Sequence, residues 1–254
     1  MAFEITDELL ENLVGFINKN NDSKIKNLFE EVHFADIAEV LDEVSFDEAI
    51  YIIKLLDSEK TSEILTELDE DTREKILENF SAKEIANEVG EMDSDDAADI
   101  IGELSEERQK RVINELEDTE LAEDIKELLS YGDDTAGSLM AKELVKVYET
   151  WTVAGCMRRI RGQAQEVTRV HSIYVVDKED KLVGRLSLKD LIVAKSDQKI
   201  ADISKAKVDA VNVNEDDETV ARIMVKYDFS NSFIIFVHVY GIYFSFRNIS
   251  NFLI

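Results

Sequence analysis

Four aspartates fall within seven residues of the stretch MDSDDAADIIGEL, residues 92–104: Asp93, Asp95, Asp96 and Asp99. Asp95 and Asp99 are four apart, which on a helix puts both carboxylates on one face. Carboxylate oxygens placed this way can hold a hard divalent cation, which takes oxygen donors and keeps part of its water shell. The same acids have a second explanation. A helix start carries partial positive charge, so acids are favoured at its cap and in its first turn. That accounts for Asp93, Asp95 and Asp96 without a metal, but not for Asp99, a turn further in. A second acidic run, NEDDE at 214–218, is open to the same two readings.

Catalytic chemistry finds no comparable support. His33, His171 and His238 are scattered, Cys156 is the only cysteine, and no phosphate-binding or dinucleotide-binding glycine pattern occurs. The chain is read as a non-enzyme. Its 254 residues are 44% apolar, enough for a core, and its formal net charge is −27. Residues 1–130 hold 39 Asp and Glu against 12 Lys and Arg, whereas residues 131–254 hold 17 of each, so the whole imbalance lies in the first half. Such a surface repels nucleic acid and attracts cations or basic partners. A lone cysteine allows no internal disulfide, which fits a reducing compartment. The acidic start MAFEITDELLENL contains no apolar signal core.

The acids sit on a repeat. In steps of twelve from Phe29 the chain reads Phe29, Leu41, Ile53, Leu65, Leu77, Val89, Ile101, Ile113, Ile125; in the same steps from Val32 it reads Val32, Val44, Leu56, Leu68, Phe80, Met92, Leu104, Leu116, Leu128. A third row, Leu28, Val40, Ile52, Ile64, Ile76, Glu88, Ile100 and Val112, is apolar except at Glu88. Rows three apart share a helical face. After the second row come Ser45, Asp57, Asp69, Ser81, Asp93 and Ser105, residues that cap helix starts, and Ser45 with Glu48 and Ser81 with Glu84 spell capping boxes. Each unit is one short helix and a tight turn. A helix of that length is marginal alone, so the units must stack into a superhelix.

Beyond YGDDTAGSLMAKE the pattern changes. LVKVYE reads as a strand, TVAGCMRRIRGQA as a helix capped by Thr152, SIYVVD and LVGRLSL as strands about a KEDK turn, and KDLIVAK as a helix. VDAVNV and DDETVARIMVKYD begin the same series again.

SIYVVDKEDKLVGRLSLKDLIVA resembles a CBS motif, the β-α-β-β-α unit that pairs in tandem. YGDDTAGSLM resembles the junction of MgtE-type magnesium transporters, DDETVARIMVKYDF the start of their second CBS repeat, and the short-helix superhelix their amino-terminal domain. The chain departs from that pattern at Ala141, where the family has proline after the junction methionine, in the proline-free linker DISKAKVDAV, and beyond Phe229. The expected organisation is therefore multi-domain. An acidic all-α superhelix of short helices spans 1–130, and an α/β CBS module follows, with its first motif at 131–200 and an incomplete second at 201–229. An atypical tail occupies 230–254.

The tail SNSFIIFVHVYGIYFSFRNISNFLI contains no Asp, Glu or Lys and holds five of the twelve phenylalanines. Its apolar run is short for a membrane span, and its Phe, Ile and Tyr content is strand-like. It is read as a frameshifted or truncated end before the pore, with a buried strand or a membrane-contacting tail as the alternative.

The resemblance implies a magnesium-sensing region on the cytoplasmic side of the membrane, in a family whose full-length members are membrane proteins. Bound ions would hold acidic faces together, and their loss would let the helical domain swing away. It implies magnesium ligands at Asp95, Asp99, Asp216, Glu218 and Asp228, and a homodimer formed through the CBS region. It also implies ATP or another adenine nucleotide at Ser187 and Asp190, although Asp190 is equally placed to cap the following helix and Ser172 stands where some relatives stack the base on an aromatic. Two rival functions are a nucleotide-sensing CBS module and an acidic helical adaptor for basic proteins.

Overall fold

A computed structural model describes residues 3–132, 134–163, 172–205, 210–226, 235–238 and 241–242. The chain divides into two compact units, residues 1–92 with 96–122, and residues 93–95 with 123–254.

The first unit is built from α1 (Asp7–Ile17), α2 (Asp22–Phe29), α3 (Phe34–Glu43), α4 (Phe46–Ile53), α5 (Ser58–Glu67), α6 (Glu70–Glu78), α7 (Ala82–Val89), α8 (Ser94–Gly102) and α9 (Glu106–Glu115). From α2 to α9 each helix starts twelve residues after the last, as the repeat predicts. α3 packs on α5, α5 on α7 and α7 on α9, while α4 packs on α6, so helices meet their second neighbours. All nine residues of the row from Phe29 to Ile125 are buried. Glu88, the break in the third row, is half-buried and accepts a 2.8 Å hydrogen bond from Ser58 Oγ. Burial pushes its carboxyl above the ordinary range, and that hydrogen bond opposes the shift.

Local chemistry sets the helix ends. Asp57 and Asp69 accept from the amides of Lys60 and Thr72, each at 3.0 Å, and His33 Nδ1 accepts from Ala35 N at 3.2 Å. Both expected capping boxes form. Hydrogen bonds from Ser81 hold the Glu84 carboxyl down at about 2. Several carboxyl-terminal carbonyls, which have no partner within their own helix, are met by cations from other repeats. Lys60 Nζ donates to Phe29 O and Glu30 O; Arg73 to Leu65 O and Leu68 O; Arg108 to Leu77 O and Phe80 O; Lys54 to Asn79 O. Positive charge is favoured at those helix ends; the bonds of Lys54, Lys60 and Arg108 tie together repeats that are not adjacent in sequence, and Arg73 ties α6 to the preceding α5.

α10 (Thr119–Leu128) leads into the second unit. There β1 (Val145–Tyr148), α11 (Val153–Gln163), β2 (Ile173–Val176), β3 (Leu182–Leu186) and α12 (Leu188–Val193) form the expected β-α-β-β-α motif. β1 pairs parallel with β2, and β2 antiparallel with β3. Thr152 Oγ1 accepts from Gly155 N at 3.2 Å and so caps α11. Val145, Val147, Cys156, Ile160, Ile173 and Val175 belong to one core. Burial there pushes the Cys156 thiol up to about 11, which fits a packing role.

After α13 (Ile200–Ile203) come β4 (Ala210–Asn212), α14 (Asp217–Lys226), β5 (Ile235–His238) and β6 (Gly241–Ile242). Again the first pair is parallel and the second antiparallel. Two short pieces of the tail thus take the strand positions that its composition suits; the rest of the tail lies outside the described residues. Each motif is also held by the segment leading into the other. Ala136 N and Gly137 N donate to Glu215 O and Val213 O, while Val153 N and Ala154 N donate to Gln198 O and Ser196 O.

Leu65 is fully buried and Ile192 is 67% exposed. Leu65→Ala is expected to cost about 2–5 kcal/mol in urea unfolding of the helical unit. Ile192→Ala should stay within about 0.5 kcal/mol of the parent.

Candidate metal centre

α8 starts where the repeat requires it, and its acids sit in different surroundings. Ser94 is fully buried and Asp95 is 7% exposed; together with Asp93 they group with the second unit. Within that unit Ser94 N donates to Glu143 Oε1 at 2.9 Å, and Ser94 Oγ donates to Glu143 Oε2 at 3.0 Å. Ser94 Oγ in turn accepts from Lys142 N at 2.9 Å. The Lys142 side chain, 4% exposed, reaches Glu127 at 2.8 Å and Asp124 at 3.7 Å. Burial pushes the Glu143 carboxyl upward, Asp93 adds to the shift, and the hydrogen bonds with Ser94 oppose it.

Asp99, one turn on, belongs to the first unit. Its side chain is open to solvent on one side, yet its carboxyl is pushed up to about 6. Surrounding protein that displaces water is the largest cause, Asp96 and Glu103 add repulsion, and Arg73 opposes them. Arg73 is itself engaged. Its Nε donates to both Glu103 carboxylate oxygens, at 3.0 and 3.1 Å, while Nη1 serves the end of α5. Water on the open side screens part of the penalty on Asp99, and the direction of the shift is upward.

The other expected ligands have structural work. Asp216 Oδ1 caps α14, accepting from Glu218 N at 2.8 Å and Thr219 N at 3.3 Å. Glu218 is exposed in the first turn of α14, where the helix dipole favours it. Asp228 lies outside the described residues. Among the described residues no three His, Cys, Asp or Glu side chains converge as a metal site. A cage made wholly of protein ligands is therefore not assembled there. A hydrated magnesium ion needs less, because it is commonly held through one or two carboxylates with its waters retained. The charge around Asp99 fits that mode.

Ser187 and Asp190 form a capping box at the start of α12. Ser187 N and Oγ donate to Asp190 Oδ2 at 2.9 and 2.7 Å, and Asp190 N donates to Ser187 Oγ at 3.1 Å. Those bonds hold the Asp190 carboxyl below its ordinary value. The spacing that suggested a nucleotide site serves a helix cap in this structure.

Residues 32–134 match the family model for the MgtE intracellular N domain, and residues 136–197 match that for the CBS domain. The magnesium transporter MgtE of Enterococcus faecalis is 44% identical over 104 residues, and that of Thermus thermophilus 44% over 103 residues. Each alignment covers 41% of this chain and 23% of the relative's length. Among solved structures, the cytosolic domain of the Mg2+ channel MgtE in complex with ATP superposes with a TM-score of 0.86 at 29% identity, covering 96% of this chain and 98% of that one. The soluble part of a magnesium transporter gives 0.81 at 27% identity, covering 96% and 95%. The chain is thus similar, along nearly its whole length, to the cytosolic part of MgtE. Among the described residues no helix is long and apolar enough to cross a membrane.

Sequence reasoning missed Glu143 and the Arg73–Glu103 pair. Glu103 was open to discovery, because its twelve-residue phase also holds Glu31, Glu43, Glu67, Glu91, Glu115 and Glu127. Glu143 belongs to no repeat, and only the fold brings it to Ser94.

The raised Asp99 carboxyl sets a pH dependence. Well below the ordinary value of 3.8 the group is neutral both folded and unfolded. Between there and about 6 the folded chain keeps the proton longer, so this group's contribution to stability falls as pH rises. Asp99→Asn should therefore raise the melting temperature at pH 7.5 in chelator. The difference should vanish near pH 3, as read by thermal denaturation across the range.

Proposed function

We propose that this chain is a magnesium sensor, the gating region of an MgtE-type transporter, and that the acids of α8 are part of its cation-binding surface. The observation that carries the reading is Asp99, a solvent-accessible carboxyl crowded by Asp96 and Glu103 one turn from Asp95. A hydrated divalent cation beside it would favour the ionised form and relieve the repulsion. The family supports the same reading, since the relatives matched are named magnesium transporters and a Mg2+ channel. Asp216 and Glu218 are second-rank ligands, because Asp216 would have to serve an ion while capping α14. Asp228 is carried over from the resemblance alone. Cytoplasmic placement, pairing through the CBS region and control of a pore are carried over in the same way.

A second reading, adenine-nucleotide sensing, is favoured by the likeness to a structure solved with ATP. Ser187 and Asp190 could contact phosphate and ribose there only by sharing or opening their cap. Titrating ATP in magnesium-free buffer separates the two readings, because binding that is lost in Ser187→Ala and indifferent to magnesium supports the second.

Calorimetric injection of magnesium chloride should show weak binding that Asp95→Asn/Asp99→Asn reduces by about tenfold or more. Protons compete for Asp99, so the apparent affinity should fall as pH is lowered through about 6. That pH dependence should be shallower in Asp99→Asn. Equal affinities for parent and double variant across this range would contradict the assignment.

A further inference from the structure

We propose that Glu143 is a positioning residue for the acids of α8: it caps that helix from the junction segment and so sets how tightly the chain holds a divalent cation. The inference rests on the cation reading above. The first amide of a helix has no partner within the helix, and the amide of Ser94 is met by a carboxylate 49 residues away, at 2.9 Å. The other oxygen of that carboxylate takes the Ser94 hydroxyl at 3.0 Å, so the contact is two-pronged. The hydroxyl also accepts from Lys142 N at 2.9 Å, which engages both polar groups at the head of α8. Ser94 is fully buried, so water cannot replace these partners cheaply. Lys142 fastens the other side of the junction by its buried ion pairs with Glu127 and Asp124. Residues 93–95 group with the second unit, while α8 continues into the first.

The consequence concerns Asp95, the residue after Ser94. A short helix frays from an uncapped end. With the cap in place, Asp95 is held in helical geometry one turn from Asp99. Without it, the first turn must be ordered each time a cation binds, and affinity falls by that ordering cost.

The test uses the full chain with Glu143→Ala, Glu143→Gln and Ser94→Ala. In chelator, amide hydrogen exchange of residues 94–97 should quicken roughly fivefold in Glu143→Ala, while amides of α7 are unchanged. Magnesium calorimetry on the folded variant should show an affinity roughly threefold to tenfold weaker, with partial recovery in Glu143→Gln, which keeps an acceptor for the Ser94 amide. Ser94→Ala leaves the carboxylate in place and gives the same readouts in smaller measure should Glu143→Ala not fold. Unchanged exchange at 94–97 overturns the cap. Faster exchange with unaltered magnesium affinity overturns the positioning role. If the parent binds no magnesium, the sensor reading and the positioning role fail together, and the exchange data still decide whether Glu143 caps α8.

Discussion

An eight- to ten-residue helix cannot hold itself together in water, and the first unit is made of little else. Each helix there buries apolar residues against other helices, with α3, α5, α7 and α9 meeting their second neighbours, and the helix ends draw on partners for their amides and carbonyls. The caps at helix starts are local Ser, Asp and His side chains. The partners at several helix ends are Lys and Arg from later repeats, such as Lys60, Arg73 and Arg108. This division of labour has an electrostatic consequence. Several of the few cations in the first half are already committed to carbonyls, and two of these, Lys54 and Arg73, are also paired with Glu84 and Glu103.

α8 shows the result. Arg73 is the cation nearest to relieving Asp99, and it is bound to Glu103 and to the end of α5. Asp99 is left with Asp96 and Glu103 as acidic neighbours and with water on one side. On the function proposed above, a divalent cation supplies the counter-charge for such a place. A basic protein could also be drawn to an acidic face, but it would answer the overall charge of the unit, whereas the crowding at Asp99 is local to one helix turn.

Much of the fold was legible because the repeat is strict. Three apolar rows and a cap row fixed the helices from α2 to α9, and the alternation around SIYVVD and LVGRLSL fixed the first sheet. α1 lies outside the twelve-residue register and was not anticipated, although Thr6 caps it and Asp7 and Glu8 fill its first turn. The candidate site was legible only as residue types. Spacing placed Asp95 and Asp99 on one helix, but it could not show that one is nearly buried with the head of α8 while the other is crowded yet wet. Nor could spacing distinguish a phosphate contact from a cap at Ser187 and Asp190, since both use a hydroxyl and a carboxylate three residues apart. Glu143 was beyond reach because its partner is remote in sequence.

The most direct test of the central claim is the ionisation of Asp99 itself, followed by carboxyl carbon NMR in a pH titration. In chelator its midpoint should lie near 6, and saturating magnesium should move it down, below the ordinary carboxyl value of 3.8. A midpoint close to 3.8 in chelator that magnesium leaves in place would contradict the account.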